Sequence, residues 1–282
     1  MTPSLQRLTI VGLGLLGGSV ARAARTRRAA AEIVAVGRTP GPLAAARAAG
    51  VVDRTTTDLA EGVGGADLIV LCAPVGALPG LVRAAWPHLA PGAVLTDVGS
   101  VKGAVVAAAE ACPSRDGVVF VGGHPMSGSE RSGFEAAQAD LFVGRLTLLT
   151  PTARTPEAAV ARVSRFWETL GSQVRLLSAE EHDRAVAAVS HLVHLAAFAL
   201  VAAAADDALA LAGPGFQDTT RVAASAEALW TDIFRGNRTP LLDALADYRA
   251  RLAEWEALIR DGKWEALEAE LAQARKRREK LG

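Results

Sequence analysis

The stretch Leu8-Thr9-Ile10-Val11-Gly12-Leu13-Gly14-Leu15-Leu16-Gly17-Gly18-Ser19 sets an apolar run against glycines spaced Gly12-x-Gly14-x-x-Gly17. A buried strand feeding such a turn, with a helix over about Leu15 to Arg28 behind it, is the outline of a dinucleotide-binding fingerprint. In that reading Gly12 permits the tight turn, Gly14 lets a pyrophosphate approach the backbone, and Gly17 lets the helix pack closely on the strand. The phosphates then rest on free N–H groups where the helix starts, at Leu15 and Leu16. A tight strand-to-helix connection with no ligand has the same pattern, so the remainder of the chain has to decide.

Working outward, Glu32-Ile33-Val34-Ala35-Val36-Gly37-Arg38 reads as a second strand running into a turn. A carboxylate at that point normally meets the adenosine ribose of NAD, whereas an arginine suits the 2′-phosphate of NADP. The chain offers Arg38 and Thr39 there and no acid, so NADP is favoured over NAD. After a short helix (Leu43 to Ala49) and a turn at Gly50-Val51-Val52-Asp53, a continuous apolar strand runs from Ala66 to Pro74, and Pro74 is grouped with the cofactor residues. Further strands are expected at Ala93 to Val98, Gly117 to Val121, Leu146 to Leu149 and Gln173 to Leu176. Strands apolar on both faces and alternating with helices predict a doubly wound, Rossmann-type α/β domain over residues 1–177. From Ser178 the pattern turns helical, giving an all-helical domain over 178–282 whose apolar face packs either within the chain or across a dimer. Its clearest periodicity, Leu241, Leu245, Tyr248, Leu252, Trp255 and Ile259, draws an apolar stripe along one helix.

Composition narrows the function. The 282 residues include 30 basic and 30 acidic side chains and are half hydrophobic, which argues against disorder and against a general polyanion-binding surface. Small-molecule chemistry fits, with no nucleic-acid partner; the terminal Arg275-Lys276-Arg277-Arg278-Glu279-Lys280 reads as a solvated helix end. Cys72 and Cys112 cannot make a disulfide framework, so a reducing, cytoplasmic setting is expected. The ordered glycine spacing argues against a signal peptide over Ile10 to Ala23. The apolar run Ala185 to Ala205 is long enough for a membrane span but holds Ser190, His191 and His194, so it is read as a buried helix, with no membrane partner.

Ligands of open α/β sheets bind beyond the carboxyl ends of the strands. Asp97-Val98-Gly99-Ser100-Val101-Lys102-Gly103 follows the fourth expected strand, and Gly122-Gly123-His124-Pro125-Met126-Ser127-Gly128-Ser129-Glu130 the fifth. His124 suits a base that takes the proton of a substrate hydroxyl while hydride leaves the same carbon. Ser100 orients that hydroxyl, contacts the nicotinamide or caps the next helix, and Lys102 reads as a helix-surface charge. In Ser190-His191-Leu192-Val193-His194 the two imidazoles share a helix face. His182, nine residues earlier, falls about half a revolution away on a continuous helix and does not extend that face, so no metal site is expected. Arg221, after Asp218, either grips a substrate carboxylate or pairs with Asp218.

Taken in order, these clusters make the chain resemble the prephenate and arogenate dehydrogenase family of tyrosine biosynthesis. The matching residues are the Gly12 to Ser19 turn, Gly99-Ser100-Val101-Lys102, Gly122-Gly123-His124-Pro125-Met126, Glu181-His182-Asp183, Ser190-His191-Leu192-x-His194, Asp218-x-Thr220-Arg221 and Trp230-x-Asp232-Ile233-Phe234. The resemblance implies oxidative decarboxylation of a cyclohexadienol with hydride transfer to a nicotinamide. It makes His124 and Ser100 the catalytic pair, with Arg221 on a substrate carboxylate, Ser190, His191 and His194 near the substrate side chain, and a homodimer formed through the helical domain. Arg38 departs from the acid many members carry, and Pro214 from a usual glycine. Neither a preceding chorismate mutase segment nor a following regulatory domain is expected. Prephenate is preferred over arogenate because no carboxylate for an ammonium group lies between Ser190 and Val201. A β-hydroxyacid dehydrogenase would need a lysine that residues 178–261 lack, and a non-catalytic dinucleotide-sensing module would bind cofactor without turnover.

Overall fold

The computed structural model describes residues 5–128 and 131–280; Ser129 and Glu130, placed by the sequence in the loop after His124, lie outside the described residues. The apolar run that opens the chain forms β1 (Leu5–Val11), with Leu8 and Ile10 fully buried. It continues into α1 (Leu15–Arg27), β2 (Ala30–Val36), α2 (Pro40–Ala48), β3 (Arg54–Thr56), α3 (Leu59–Val63), β4 (Leu68–Leu71), α4 (Leu78–Ala85), β5 (Val94–Asp97) and α5 (Gly103–Glu110). Then come β6 (Val119–Pro125), β7 (Leu146–Thr150), α6 (Glu157–Thr169) and β8 (Gln173–Leu176). The eight strands form one sheet in the order β3-β2-β1-β4-β5-β6-β7-β8.

The chain winds one way from β1 to β3 and the other way from β4, so the order reverses between β1 and β4. This opens a crevice at their carboxyl ends. The turn Gly12–Gly14 leaves β1 there and Pro74 follows β4 there. One apolar core packs α1, α2 and α6 on one sheet face, around Val20, Leu43 and Trp167; the other packs α3, α4 and α5 around Val63, Leu78 and Val105. β1 to β6 run parallel, but β7 pairs antiparallel with β6 and β8 parallel with β7, so the sheet is mixed at this edge.

Two strand boundaries differ from the sequence reading. β3, a three-residue edge strand of Arg54, Thr55 and Thr56 just past the expected Gly50 to Asp53 turn, carries no apolar run and has no counterpart in the sequence reading. β6 does not stop at Val121 but continues through Gly122-Gly123-His124-Pro125, because β7 supplies antiparallel partners there, His124 opposite Leu148. His124 therefore sits within a strand. It still lies past the end of the parallel pairing with β5, which closes at Thr96 opposite Val121.

All later elements among the described residues are helical. Ser178 starts α7 (Ala179–Val186) with a reciprocal capping box to Glu181. A π-helical turn, Ala187–His191, then leads into α8 (Leu192–Ala203), α9 (Asp206–Leu209), α10 (Pro214–Thr220) and α11 (Glu227–Gly236). The continuous helix Ala179–Ala203 is long and apolar enough to cross a membrane by length and composition. Its expected burial is only partial: Val186, Ala187, His191 and Ala197 are buried, while Val189, Val193 and Leu200 are exposed in the single chain. Residues up to Asn237 form one compact unit and Arg238–Gly282 a second. The second is a helical hairpin of α12 (Arg238–Arg260) and α13 (Trp264–Glu279), turned at Gly262 and bridged by Arg251 to Glu270 at 3.1 Å.

Candidate active site

Each fingerprint glycine has a separate geometric duty. Gly12 has φ +99°, and a Cβ there would run into the carbonyl oxygen of Cys72; a Cβ on Gly17 would meet the carbonyl oxygen of Gly12. These two are required for the strand, turn and helix to close on one another. Gly14, the N-cap of α1, has no neighbour in front of its Cβ position. The first turn of α1 has neither a side-chain cap nor an acidic residue, which leaves its positive dipole end suited to an anionic phosphate. Leu15 and Leu16 are half-buried at this helix start, whereas Arg38, Thr39 and Pro74 are exposed beyond β2 and β4.

Asp97, at the end of β5, ties the next two loops together. Its carboxylate accepts from the N–H of Gly99 (2.8 Å) and Gly123 (3.0 Å) and pairs with the Lys102 ammonium. Lys102 also donates to the Gly123 carbonyl at 2.8 Å. Lys102 is fully buried and not a helix-surface charge. The residue opens α5, and the bend before that helix turns its side chain inward to Asp97. Burial lowers its pKa, opposed by the charge of Asp97.

Next to this pair, His124 is 8% exposed, and its Nδ1 lies 2.9 Å from Nε2 of His182. His182 Nδ1 lies 2.8 Å from Asp183 Oδ1, and the Asp183 carboxylate accepts the N–H groups of Lys102 and Gly103, both at 2.8 Å. Burial alone would raise the Asp183 carboxyl, but hydrogen bonds from His182 and those two N–H groups outweigh it and leave its pKa lowered. Burial, aided by the Lys102 ammonium, holds His124 well below the usual imidazole range. His124 is thus a neutral imidazole at physiological pH.

The π-helical turn carries Ser190 and His191. His191 is fully buried, and Asn237 Nδ2 meets its Nδ1 at 3.0 Å and also donates to the Asp183 carbonyl at 2.7 Å. Burial pushes its pKa down to about 4. His194 donates from Nδ1 to the Ser190 carbonyl (2.9 Å) and stacks on Trp230 with ring centroids 3.5 Å apart. Its pKa is lowered by burial first and further by the charge of Arg221, which lies on the turn Arg221–Ala224 after α10. Trp230 packs with Val75 and Val101, from the turns after β4 and β5, and the N–H of Gly76 donates to Asp232 of α11 at 2.9 Å. The helical elements are thereby fastened to the rim of the crevice.

The structure therefore gathers His124, the Ser100 loop, Ser190, His191, His194 and the charge of Arg221 at one end of the sheet. Sequence reasoning missed His182, Asp183, Lys102, Asp97 and Asn237 as parts of this cluster. A π turn breaks the regular helix after Val186, and the partner of His182 lies on β6, so helical phase within one segment did not locate it. The available signal was the polar triplet Glu181-His182-Asp183 just inside a capped helix that then becomes wholly apolar.

Comparison with known proteins places this geometry. The family model described as prephenate dehydrogenase, nucleotide-binding domain, matches residues 20–176, and the one described as prephenate dehydrogenase, dimerization domain, matches residues 178–273. The chain belongs to the prephenate dehydrogenase family. The cyclohexadienyl dehydrogenase of Zymomonas mobilis is 34% identical over 262 residues, 90% of this chain and 88% of that protein. Prephenate dehydrogenase from A. aeolicus, solved in complex with hydroxyphenyl propionate and NAD+, superposes with a TM-score of 0.91 at 32% identity over the whole of both chains. Synechocystis arogenate dehydrogenase superposes at 0.85 with 34% identity, over 98% of this chain and 100% of that one. As a member of the family, the protein is a dehydrogenase that catalyses an oxidative decarboxylation.

Proposed function

We propose that the dehydrogenase converts prephenate to 4-hydroxyphenylpyruvate with NADP as the preferred cofactor. The observation that carries the reading is a buried neutral His124 past the carboxyl end of β5, in one site with Ser100, His194 and Arg221. His124 accepts the hydrogen bond of the substrate C4 hydroxyl and Ser100 assists. Polarising the O–H bond toward His124 lets the oxygen donate electron density to C4 and so eases departure of hydride. The electron pair of the breaking bond to carbon dioxide enters the ring, which becomes aromatic, and the oxygen keeps its proton as a phenol. Arg221 binds a substrate carboxylate, with Ser190 and His194 beside the side chain and His191 behind them.

The turn Gly12, Gly14, Leu15, Leu16, Gly17 holds the cofactor pyrophosphate, with Pro74 across the crevice and Arg38 and Thr39 at the adenosine end. A nicotinamide bound there supplies the hydride acceptor. The NADP preference rests on Arg38 and on the missing acid after β2. Residues 1–177 serve as the cofactor domain and 178–282 as the substrate and dimerisation domain of a cytoplasmic homodimer. The apolar side chains exposed on α8 and α12, among them Val193, Leu200, Leu252 and Ile259, support that assembly.

Arogenate is the second reading, supported by the likeness to the Synechocystis enzyme. An assay pairing each substrate with each cofactor separates these readings. Higher kcat/KM for prephenate with NADP is expected, and a preference for arogenate overturns the substrate assignment. Arg38→Asp is expected to shift the NADP to NAD ratio of kcat/KM at least tenfold toward NAD; an unmoved ratio removes Arg38 from the phosphate site.

A further inference from the structure

The substrate-facing nitrogen of His124 is fixed by a chain of hydrogen bonds that begins at a helix end. Asp183 receives two backbone N–H groups at the N-terminus of α5. That carboxylate stays ionised there and only accepts. His182 Nδ1, 2.8 Å away, must then carry a proton and donate. A neutral His182 is left with a lone pair on Nε2, which faces His124 Nδ1 at 2.9 Å. One of two facing ring nitrogens has to donate, so the proton belongs on His124 Nδ1 and the lone pair on His124 Nε2.

We infer that His182, anchored by Asp183, is a positioning residue that holds His124 in the Nδ1–H tautomer and so presents an unprotonated Nε2 to the substrate hydroxyl. The inference rests on the role proposed for His124. The other tautomer, with the proton on Nε2, would donate to the hydroxyl oxygen and oppose the release of electron density from that oxygen toward C4 that hydride loss needs. The two rings sit edge to face with centroids 5.1 Å apart, and His182 is fully buried, so water does not substitute for it. The charged and titratable groups acting on His124 besides His182 are Lys102, which opens α5 and is paired with Asp97, and His191 from the π-helical turn.

The test is nitrogen-15 spectroscopy on histidine-labelled protein, with His124→Asn used to identify the His124 signals among the five histidines. In the wild type His124 is expected as the Nδ1–H form at neutral pH, and an Nε2–H form overturns the inference without any variant. His182→Met is expected to release a mixture of both forms and to lower kcat tenfold or more with KM within threefold. His182→Gln, whose amide can accept from His124 and donate to Asp183, is expected to restore the single tautomer and most of kcat. An unchanged tautomer in His182→Met, or a His182→Gln variant as slow as His182→Met, overturns it. A wild type that turns over neither prephenate nor arogenate overturns the proposed function instead, and the tautomer comparison still decides the role of His182.

Discussion

Gly12 and Gly14 stand two residues apart in one turn and answer to different forces. Gly12 combines φ +99° with a Cβ position blocked by backbone, whereas Gly14 faces open space. Gly12→Ala is therefore expected to cost about 2 kcal/mol or more, read as a lowered thermal midpoint. Gly14→Ala should leave that midpoint within a degree or two and weaken cofactor binding about tenfold, because its methyl group occupies the space in front of α1. Equal thermal loss in both variants would show that Gly14 is structural. At His124, replacement by Asn removes the proposed base but keeps a polar side chain, so kcat should fall about a hundredfold or more with cofactor affinity retained. Near-normal turnover would remove His124 from the reaction.

Among the elements, the helix from Ala179 to Ala203 does most to join the two chemistries of the site. Its capped first turn brings His182 and Asp183 to the start of α5, and its π-helical turn brings Ser190 and His191 beside the Ser100 loop. Removing the cap by Ser178→Ala should cost about 1 kcal/mol in urea unfolding. It should also disturb His124 spectroscopically, since the anchoring residues lie in the same turn. This element also carries a pH response. His191 has a folded pKa of about 4 against an ordinary 6.5. Between those values the unfolded chain binds a proton that the folded chain does not, so stability is full above pH 6.5 and declines as pH falls toward 4. The urea midpoint should drop over that window, and His191→Gln should flatten the drop by about one proton; an equal slope in both proteins would assign the response to other groups.

At the scale of the whole molecule, the single chain leaves apolar side chains in water on both α8 and α12, with Val193 and Leu252 each more than two-fifths exposed. Surfaces of this kind are covered by association when they form contiguous patches. Sedimentation of the wild type should therefore give twice the chain mass, and Leu252→Glu together with Val193→Glu should weaken association at least tenfold. A wild type that sediments as a monomer, or a double variant that associates as well as the wild type, would place the contact elsewhere or remove it.

The order of strands and helices was legible in sequence because buried parallel strands are written as short apolar runs, and the fingerprint turn because left-handed φ and backbone crowding leave only glycine. His124 and its neighbours were legible as clusters after strands, and the family from their order. The polar β3 was not, since an edge strand of Arg54, Thr55 and Thr56 needs no apolar signal once β2 offers it partners. Nor was the antiparallel extension of β6 that holds His124, which depends on β7 arriving about twenty-five residues later. Sequence by itself thus determined the nucleotide turn, the α/β order and the candidate base. Only the tertiary structure decided that Lys102 is buried against Asp97 and that His182 and Asp183 stand behind His124. Pairings between groups 5 to 81 residues apart are set by how helices dock on the sheet, and no local periodicity encodes that docking.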